Sequence, residues 1–272
     1  MQYRRMPIGA AGALFIVATT LLERGNHLIV LRPNYATNLE TPRAIGCDIS
    51  YLDLTFENAW RYRAEDIEAL IRPTTKLISI TTPHNPTGTV LAAEELGRIV
   101  ALAKSRGIWL LVDETYRDLQ VIKPPPFATT RSDRVISVGS LSKAYGLPGL
   151  RLGWLLTTNA MLAERFPAAK EPMVICGPIV EKEIGFLVYQ GRAELRPPIA
   201  ALVAERIGIV GRWLAGHPRL EWVEPEGGVV CFPRIKPGVG CDIDRFYQAL
   251  TDDHGTYVGA GIDRALETAR GP

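Results

Sequence analysis

Four short stretches of the chain carry side chains that could do chemistry. Their central residues are Asn85 in T-P-H-N-P-T-G, Asp113 in D-E-T-Y, Lys143 in S-L-S-K and Arg151 in G-L-R-L-G-W. The planar guanidinium of Arg151 suits a phosphate group, and a carboxylate that ends an apolar strand at Asp113 needs a partner for its charge. The amide, carboxylate, amine and guanidinium together predict a small-molecule site.

Each stretch also has an ordinary structural explanation when it is taken alone. Asn-Pro and Thr-Gly around Asn85 are typical of a turn. Asp113 could be the N-cap of a helix, and Lys143 could be a solvated loop lysine. His84 favours a structural role in the turn over a contact with a ligand. The stretches therefore indicate a functional site only in combination, and only if the helices and strands around them bring them together.

Apolar runs of strand length alternate with helical segments in the first part of the chain. Strands are predicted at residues 27–31, 48–52, 76–81, 108–113, 134–138 and 153–157. Helices are predicted at residues 11–24, 35–45, 64–71 and 92–106. This alternation is typical of an α/β fold with a mainly parallel sheet covered on both faces. Because ligands bind at the carboxyl ends of such strands, the polar stretches are expected at one edge of the sheet.

The alternation stops after residue 161. Helices are predicted at residues 181–189, 194–216 and 242–253, and strands at residues 220–223 and 229–234. Pro197 and Pro198 are expected in the first turn of the long helix. We therefore predict a large domain over residues 1–192, followed over residues 193–272 by an interdomain helix and a partial small α+β domain.

Composition and charge narrow the class of protein. The 31 basic and 29 acidic residues give a net charge of +2, which argues against nucleic-acid and anionic-membrane partners. The apolar stretch at residues 9–22 is too short to span a bilayer and predicts a buried helix rather than a signal peptide. The four cysteines form no C-x-x-C pair, which predicts buried free thiols, no metal site and a cytoplasmic location.

The order and spacing of the motifs carry a family resemblance. N-P-T-G, D-E-x-Y and S-x-S-K with an arginine eight residues later resemble the class I/II aminotransferases, which are fold-type I enzymes dependent on pyridoxal phosphate (PLP). The resemblance runs from about residue 9 to about residue 259. It implies a mainly parallel, seven-stranded type of sheet between helices and a partial small domain.

The resemblance assigns catalytic roles to Lys143, Asp113 and Tyr116. Lys143 would bond the PLP aldehyde as a Schiff base, and Asp113 would pair with the pyridine nitrogen. Tyr116 and Asn85 would hydrogen-bond the phenolic oxygen of PLP, and Tyr35 would stack on its ring.

The resemblance also assigns the residues that hold the cofactor's phosphate. Ser140, Ser142 and Arg151 would bind it, together with the backbone N–H groups of Ala10 and Ala11 at the start of the first helix. A helix N-terminus presents free N–H groups and a positive dipole end, so the physical chemistry agrees with this assignment.

The implied function is a PLP-dependent aminotransferase that acts on an amino acid and a 2-oxo acid as a homodimer. Lyase, decarboxylase and oxidase reactions use the same cofactor and lysine, so they stay open as alternatives. The amino-acid substrate is not readable from the sequence.

Two parts of the family pattern are absent. The family has a long N-terminal segment before its first cofactor helix. It also has an arginine that binds the substrate carboxylate, in an R-[IVL]-x-[FLY] strand. That strand follows a V-x-P-G region, and residues 257–259 resemble only the start of this region. Neither Arg264 nor Arg270 has that context. We therefore expect a chain truncated at both ends, either an active enzyme or a PLP-binding remnant with little activity.

Overall fold

The structure, a computed structural model, describes residues 3–5, 7–120 and 124–259. A seven-stranded sheet forms its centre. Its strands are β1 (Tyr3–Arg5), β2 (His27–Arg32), β3 (Asp48–Asp53), β4 (Thr75–Thr81), β5 (Trp109–Asp113), β6 (Val135–Ser140) and β7 (Gly153–Thr157). The helices are α1 (Gly9–Leu21), α2 (Thr37–Ile45), α3 (Ala64–Glu68), α4 (Ala93–Ser105), α5 (Ala160–Lys170), α6 (Ile179–Gln190), α7 (Arg192–Leu214) and α8 (Ile243–Asp252).

The sheet is mainly parallel, as predicted. Its strand order is β1-β7-β6-β5-β4-β2-β3. Strands β2 to β6 are parallel to one another, whereas β7 is antiparallel to both β6 and β1. The carboxyl ends of β2 to β6 and the start of β7 therefore meet at one edge of the sheet.

Both faces of the sheet are covered, which explains the continuous apolar strands. On one face Ile78 of β4 packs in a cluster with Ile99 of α4. On the other face Leu77 packs in a cluster with Val17 of α1 and Phe166 of α5. Residues that alternate along β4 are thus buried against different helices, and a parallel strand enclosed in this way has no polar face.

Several helix boundaries differ from the prediction, and α3 in particular ends at Glu68 rather than at residue 71. Two of the differences involve glycine or proline. α1 ends at Leu21 rather than at residue 24, because Leu22 is already extended and Gly25, at φ +81°, lies in the turn into β2. α7 begins at Arg192, so Pro197 and Pro198 lie in its second turn and not in its first. The predicted burial of the thiols is also wrong for Cys176, Cys231 and Cys241, which are exposed, and Cys47 is only partly buried.

The part of the chain after α5 forms a smaller antiparallel sheet with helices around it. β8 (Leu220–Glu221) pairs with β9 (Arg234–Ile235), so the strand predicted at residues 229–234 is wrong except at its last residue. Residues 226–228 donate their backbone N–H groups to the turns of the large sheet instead of to β8. The division of the chain near residue 192 stays a prediction.

No described helix is long and apolar enough to cross a membrane. Residues 257–259, which resemble the start of a family strand, are exposed and form no strand. Arg264 and Arg270 lie outside the described residues.

Candidate active site

A cavity of about 210 Å³ lies at the edge of the sheet where the parallel strands end. Its walls come from the start of α1, the loops after β2, β4, β5 and β6, and the loop before β7. The lining includes every residue that the motifs selected, namely Ala10, Ala11, Tyr35, Asn85, Asp113, Tyr116, Ser140, Ser142, Lys143 and Arg151. The topology thus brings together side chains that are up to 141 residues apart, from Ala10 to Arg151.

Asp113 is the buried carboxylate of the cavity, with 6% of its surface exposed. Its Oδ1 accepts hydrogen bonds from the Thr115 backbone N–H at 3.0 Å and from the Thr115 hydroxyl at 2.6 Å. Among the described residues its Oδ2 has no hydrogen-bond donor and no cation pairs with it. Burial raises the pKa of Asp113, and the two bonds from Thr115 offset only part of that rise. A cationic donor on a ligand would supply the missing partner.

Tyr116 supplies a neutral hydrogen-bond donor to the same cavity. Burial, followed by the charges of Asp113 and Tyr35, raises the pKa of Tyr116 to about 12. The phenol therefore keeps its proton at neutral pH and can donate it to an anionic oxygen.

Asn85 lies at the tip of the turn formed by residues 82–91. Backbone bonds close this turn, from His84 N–H to Thr89 O at 2.8 Å and from Gly88 N–H to His84 O at 2.7 Å. The side chain of Asn85 lines the cavity, while His84 does not.

The imidazole of His84 is part of the turn's own framework. Its Nδ1 lies 2.9 Å from the Thr87 hydroxyl, and the side chain is 2% exposed. Burial lowers the pKa of His84 to about 4, so the ring is neutral near pH 7. This arrangement agrees with the structural role that the sequence favoured for His84.

A cluster of anion-binding groups closes the other end of the cavity. Ala10 and Ala11 lie in the first turn of α1, where backbone N–H groups have no carbonyl acceptor within the helix. A Cβ added to Gly9 would lie 2.7 Å from Nη2 of Arg151, so the guanidinium packs directly against the helix start. Ser140 and Ser142 line the same cavity. A cation, two hydroxyls and a helix N-terminus together suit a phosphate.

Gly153 explains how the start of α1 comes so close to the edge of the sheet. A Cβ at Gly153 would lie 2.5 Å from the backbone carbon of Gly9, closer than atoms can approach. The Gly9 N–H also donates to the Arg151 carbonyl at 2.8 Å. The glycine at the start of β7 therefore lets α1 begin directly over the sheet edge.

Lys143 lies on the exposed side of the cavity and makes no ion pair with any described residue. Its amine is therefore available to a ligand. Tyr35 is 46% exposed and is held by Asn34, whose Oδ1 accepts the Tyr35 backbone N–H at 2.7 Å.

Four lining residues were not predicted, namely Leu14, Thr81, Thr115 and Pro148. Thr115 belongs to the D-E-T-Y motif, so its two-residue spacing from Asp113 could have indicated the Asx-type turn. Thr81 pairs in register with Asp113 across β4 and β5, and its hydroxyl has no partner among the described residues. Strand register is not readable from the sequence, which is why Thr81 was missed.

The comparisons with known proteins identify the family of the chain. A family model for class I and II aminotransferases matches residues 6–265. The arginine–pyruvate transaminase of Pseudomonas aeruginosa is 30% identical over 263 residues, which is 93% of this chain and 65% of the relative. The capreomycidine synthase of Streptomyces vinaceus is 28% identical over 93% of this chain and 65% of its own length.

A solved PLP-dependent aminotransferase from Streptococcus suis has the same architecture. It superimposes with a TM-score of 0.87 and 29% identity over 93% of this chain and 67% of that protein. The chain thus spans about two thirds of the length of the proteins that it matches. It belongs to the class I and II aminotransferase family.

Proposed function

We propose that the chain binds PLP covalently at Lys143 and transfers amino groups between an amino acid and a 2-oxo acid. The observation that carries this proposal is the buried carboxylate of Asp113, which shares one cavity with an anion cradle and with Lys143. Within the described part of the chain, neither Asp113 nor Lys143 has a partner of opposite charge. Lys143, Asp113 and Tyr116 would be the catalytic residues.

The residues of the cavity fit PLP group by group. Asp113 would accept a hydrogen bond from the protonated pyridine nitrogen, Asn85 and Tyr116 would hydrogen-bond the phenolic oxygen, and Tyr35 would stack on the ring. The phosphate would lie among three kinds of group, namely the Arg151 guanidinium, the hydroxyls of Ser140 and Ser142, and the backbone N–H groups of Ala10 and Ala11.

When bound, PLP supplies an electron sink for the electrons released at the substrate Cα. The Asp113 carboxylate, which has one oxygen without a donor among the described residues, would hold a proton at the pyridine nitrogen. The Tyr116 hydroxyl, which keeps its own proton, would donate to the phenolic oxygen. The amine of Lys143, which is exposed at the cavity, would remove the proton from the substrate Cα.

Covalent binding is tested by reduction with borohydride. The protein incubated with PLP and reduced should carry a stable phosphopyridoxyl group on the tryptic peptide that contains Lys143. Lys143→Ala should lose that label while keeping noncovalent PLP binding through Asp113 and Arg151. Labelling of Lys143→Ala to the wild-type extent would refute the assignment of Lys143.

The type of reaction is tested by an amino-donor screen. Transamination converts bound PLP to its amine form and releases a 2-oxo acid in equal amount. A donor that gives both products supports the proposal. Carbon dioxide release would indicate decarboxylase chemistry. Release of a 2-oxo acid together with free ammonia, without conversion of PLP to its amine form, would indicate lyase chemistry. No response to any donor would indicate a binding protein without turnover.

We also propose that the chain forms a homodimer, as the family resemblance implies. The surface of α6 and the residues before it supports this, because several large apolar side chains there are exposed. They include Ile175 at 77%, Ile179 at 80%, Val180 at 68% and Leu187 at 58%. A second copy of the chain would bury this face.

A further inference from the structure

Residues 225–228, P-E-G-G, which we call the latch segment, contact the turn that carries Asn85. The backbone N–H groups of Glu226 and Gly227 both donate to the carbonyl of Gly88, at 2.9 and 3.0 Å. Gly88 is the last residue of the N-P-T-G motif. The latch segment thus binds the turn on its backbone, although it is about 140 residues away in the sequence.

The latch segment also contacts the turn that carries Tyr116. The Gly228 N–H donates to the Leu119 carbonyl at 3.2 Å, and Gly227 forms a β-bridge with Gln120. A Cβ at Gly228 would lie 3.5 Å from the Tyr116 ring, and the φ of +88° at Gly228 favours glycine. One short segment therefore touches both turns that supply donors to the cavity.

The packing between the segment and the first turn is too close for larger residues. A Cβ at Gly88 would lie 2.3 Å from the Cβ of Pro225, and a Cβ at Gly227 would lie 2.8 Å from the Cγ of Pro83. Glycine at these two positions lets the backbones lie against each other. Movement of the latch segment would therefore be transmitted to the turn.

A ring of hydrogen bonds between charged side chains and backbone groups holds the latch segment against the turn of residues 82–91. The guanidinium of Arg61 donates to the Val90 carbonyl at 2.8 Å and to Oε1 of Glu226 at 2.7 Å. Oε2 of Glu226 accepts the Val90 N–H at 2.9 Å. Both backbone groups of Val90, two residues beyond the N-P-T-G motif, are thus held by one ion pair. Neither Arg61 nor Glu226 lines the proposed PLP cavity.

We propose that the Arg61–Glu226 pair and the latch segment position Asn85 and Tyr116 for the cofactor. This inference rests on the proposed function for its effect on PLP, but its effect on the turn can be measured without PLP. Glu226 and Arg61 are positioning residues, because they act through the turns of residues 82–91 and 116–120. Both side chains are about half exposed, and exposed ion pairs contribute little to global stability. Breaking the pair should therefore loosen the turn without unfolding the protein.

The first experiment measures amide hydrogen exchange in the PLP-free protein. Glu226→Ala should accelerate exchange of the Val90 N–H and of residues 82–91 by about tenfold, because their anchor is lost. The matched control is Glu68→Ala, which removes the Arg106–Glu68 pair with the same 2.7 Å distance and similar exposure. Equal exchange of residues 82–91 in the two variants would overturn the proposal.

The second experiment measures PLP affinity and the pH midpoint of the absorbance of the bound cofactor. Glu226→Ala should raise the dissociation constant about fivefold and shift the midpoint, since Asn85 and Tyr116 no longer hold the phenolic oxygen in place. Arg61→Ala should have the same effect, and the double variant should add nothing further, because either change breaks one ring. Additive effects would overturn the proposed ring.

Glu226→Gln keeps an acceptor for the Val90 N–H and removes the charge that binds Arg61. It should give a smaller rise in the exchange rate and in the dissociation constant than Glu226→Ala. If the alanine variant does not fold, both experiments are done with Glu226→Gln instead. Values for Glu226→Gln that match wild type would overturn the role of the ion pair. If wild type fails to label at Lys143, the proposed function fails, while the exchange of residues 82–91 still decides whether the latch exists.

Discussion

At the scale of single residues, Asp113 is where function conflicts with stability in the PLP-free protein. Its carboxylate is buried, one oxygen has no donor among the described residues, and burial raises its pKa. A group whose pKa is raised in the folded state favours folding at low pH, where it is protonated, and disfavours folding once pH rises through the folded pKa. The ionised carboxylate therefore costs stability at neutral pH until a cation binds it.

We predict that Asp113→Asn raises the stability of the PLP-free protein and weakens PLP binding. Asparagine keeps an oxygen that accepts both bonds from Thr115, but it removes the desolvated charge, so the free energy of unfolding should rise by about 1 kcal/mol at pH 8. The difference should shrink as pH falls toward 4. Thermal melting across pH, with and without PLP, measures both effects.

The control for this prediction is Asp133→Asn, which changes an exposed aspartate. It should leave both the melting temperature and the PLP affinity close to wild type. If Asp113→Asn instead destabilised the PLP-free protein at pH 8 and left PLP binding intact, Asp113 would be a structural turn residue and not the partner of the pyridine nitrogen.

Local motifs allowed the sequence to select residues that line one cavity. D-E-T-Y, S-L-S-K and N-P-T-G place chemistry next to strand ends, and the strands are recognisable by their continuous apolar runs. Thr81 was missed because its place beside Asp113 depends on the register of β4 against β5. The roles of Arg61 and Glu226 were missed because their contact joins residues 165 positions apart.

At the scale of elements, the position of α1 on β7 controls the anion cradle. We predict that Gly153→Ala lowers the melting temperature and weakens PLP binding by more than about tenfold, because the new methyl group would overlap the backbone of Gly9. The helix start would have to move away from Arg151. Titration with PLP and, separately, competition with inorganic phosphate measure the effect on the cradle.

Gly149→Ala is the matched control for Gly153→Ala. A Cβ at Gly149 has no atom within 4 Å, although the residue lies only four positions before Gly153, in the loop that leads into β7. Its affinity for PLP and its melting temperature should equal those of wild type. Equal loss of affinity in the two variants would show that the loop, and not the seating of α1, determines phosphate binding.

The turn of residues 82–91 should make stability depend on pH through His84. Burial lowers the pKa of His84 to about 4, whereas the unfolded chain keeps a value near 6.5. The unfolded state therefore binds the proton first, and stability should fall as pH decreases from about 6.5 to about 4, by at most about 3 kcal/mol. Above pH 6.5 the imidazole is neutral in both states and has no effect.

The measurement is chemical denaturation of wild type and His84→Gln at several pH values. The variant should be less stable overall, because it loses the bond to Thr87, but its stability should decline less steeply between pH 6.5 and 4. Parallel declines in the two proteins would contradict the buried, neutral imidazole.

Elements were predicted with different success for physical reasons. Four of the five parallel strands, β2, β4, β5 and β6, are mainly apolar runs that are almost fully buried, so their pattern is clear. β3 lies at the other edge of the sheet, and only one of its six residues is fully buried. β1 has three residues and lies at an edge of the sheet, paired with β7 alone, so it leaves little apolar signal. Residues 229–233 have strand-like composition, but the segment before them is held by Gly88 and Leu119, which keeps it from pairing with β8. Tertiary contacts there overrode local propensity.

At the scale of the whole molecule, the exposed apolar face of α6 supports the proposed homodimer, and the oligomeric state in solution tests that proposal. Ile179 and Val180 are 80% and 68% exposed at the start of the helix. Side chains of this kind lose a large apolar area to a partner when two copies associate. We predict that wild type sediments at twice the 29.9 kDa of one chain.

Replacing both Ile179 and Val180 with glutamate should convert the dimer to a monomer, because like charges would face each other across a symmetric contact. Met161→Glu is the control, since Met161 is 43% exposed on α5 and should leave the mass unchanged. Sedimentation velocity of the three proteins, followed by PLP titration of each, would show whether association also supports the cofactor site. A dimeric double variant, or a monomeric wild type, would contradict α6 as the interface.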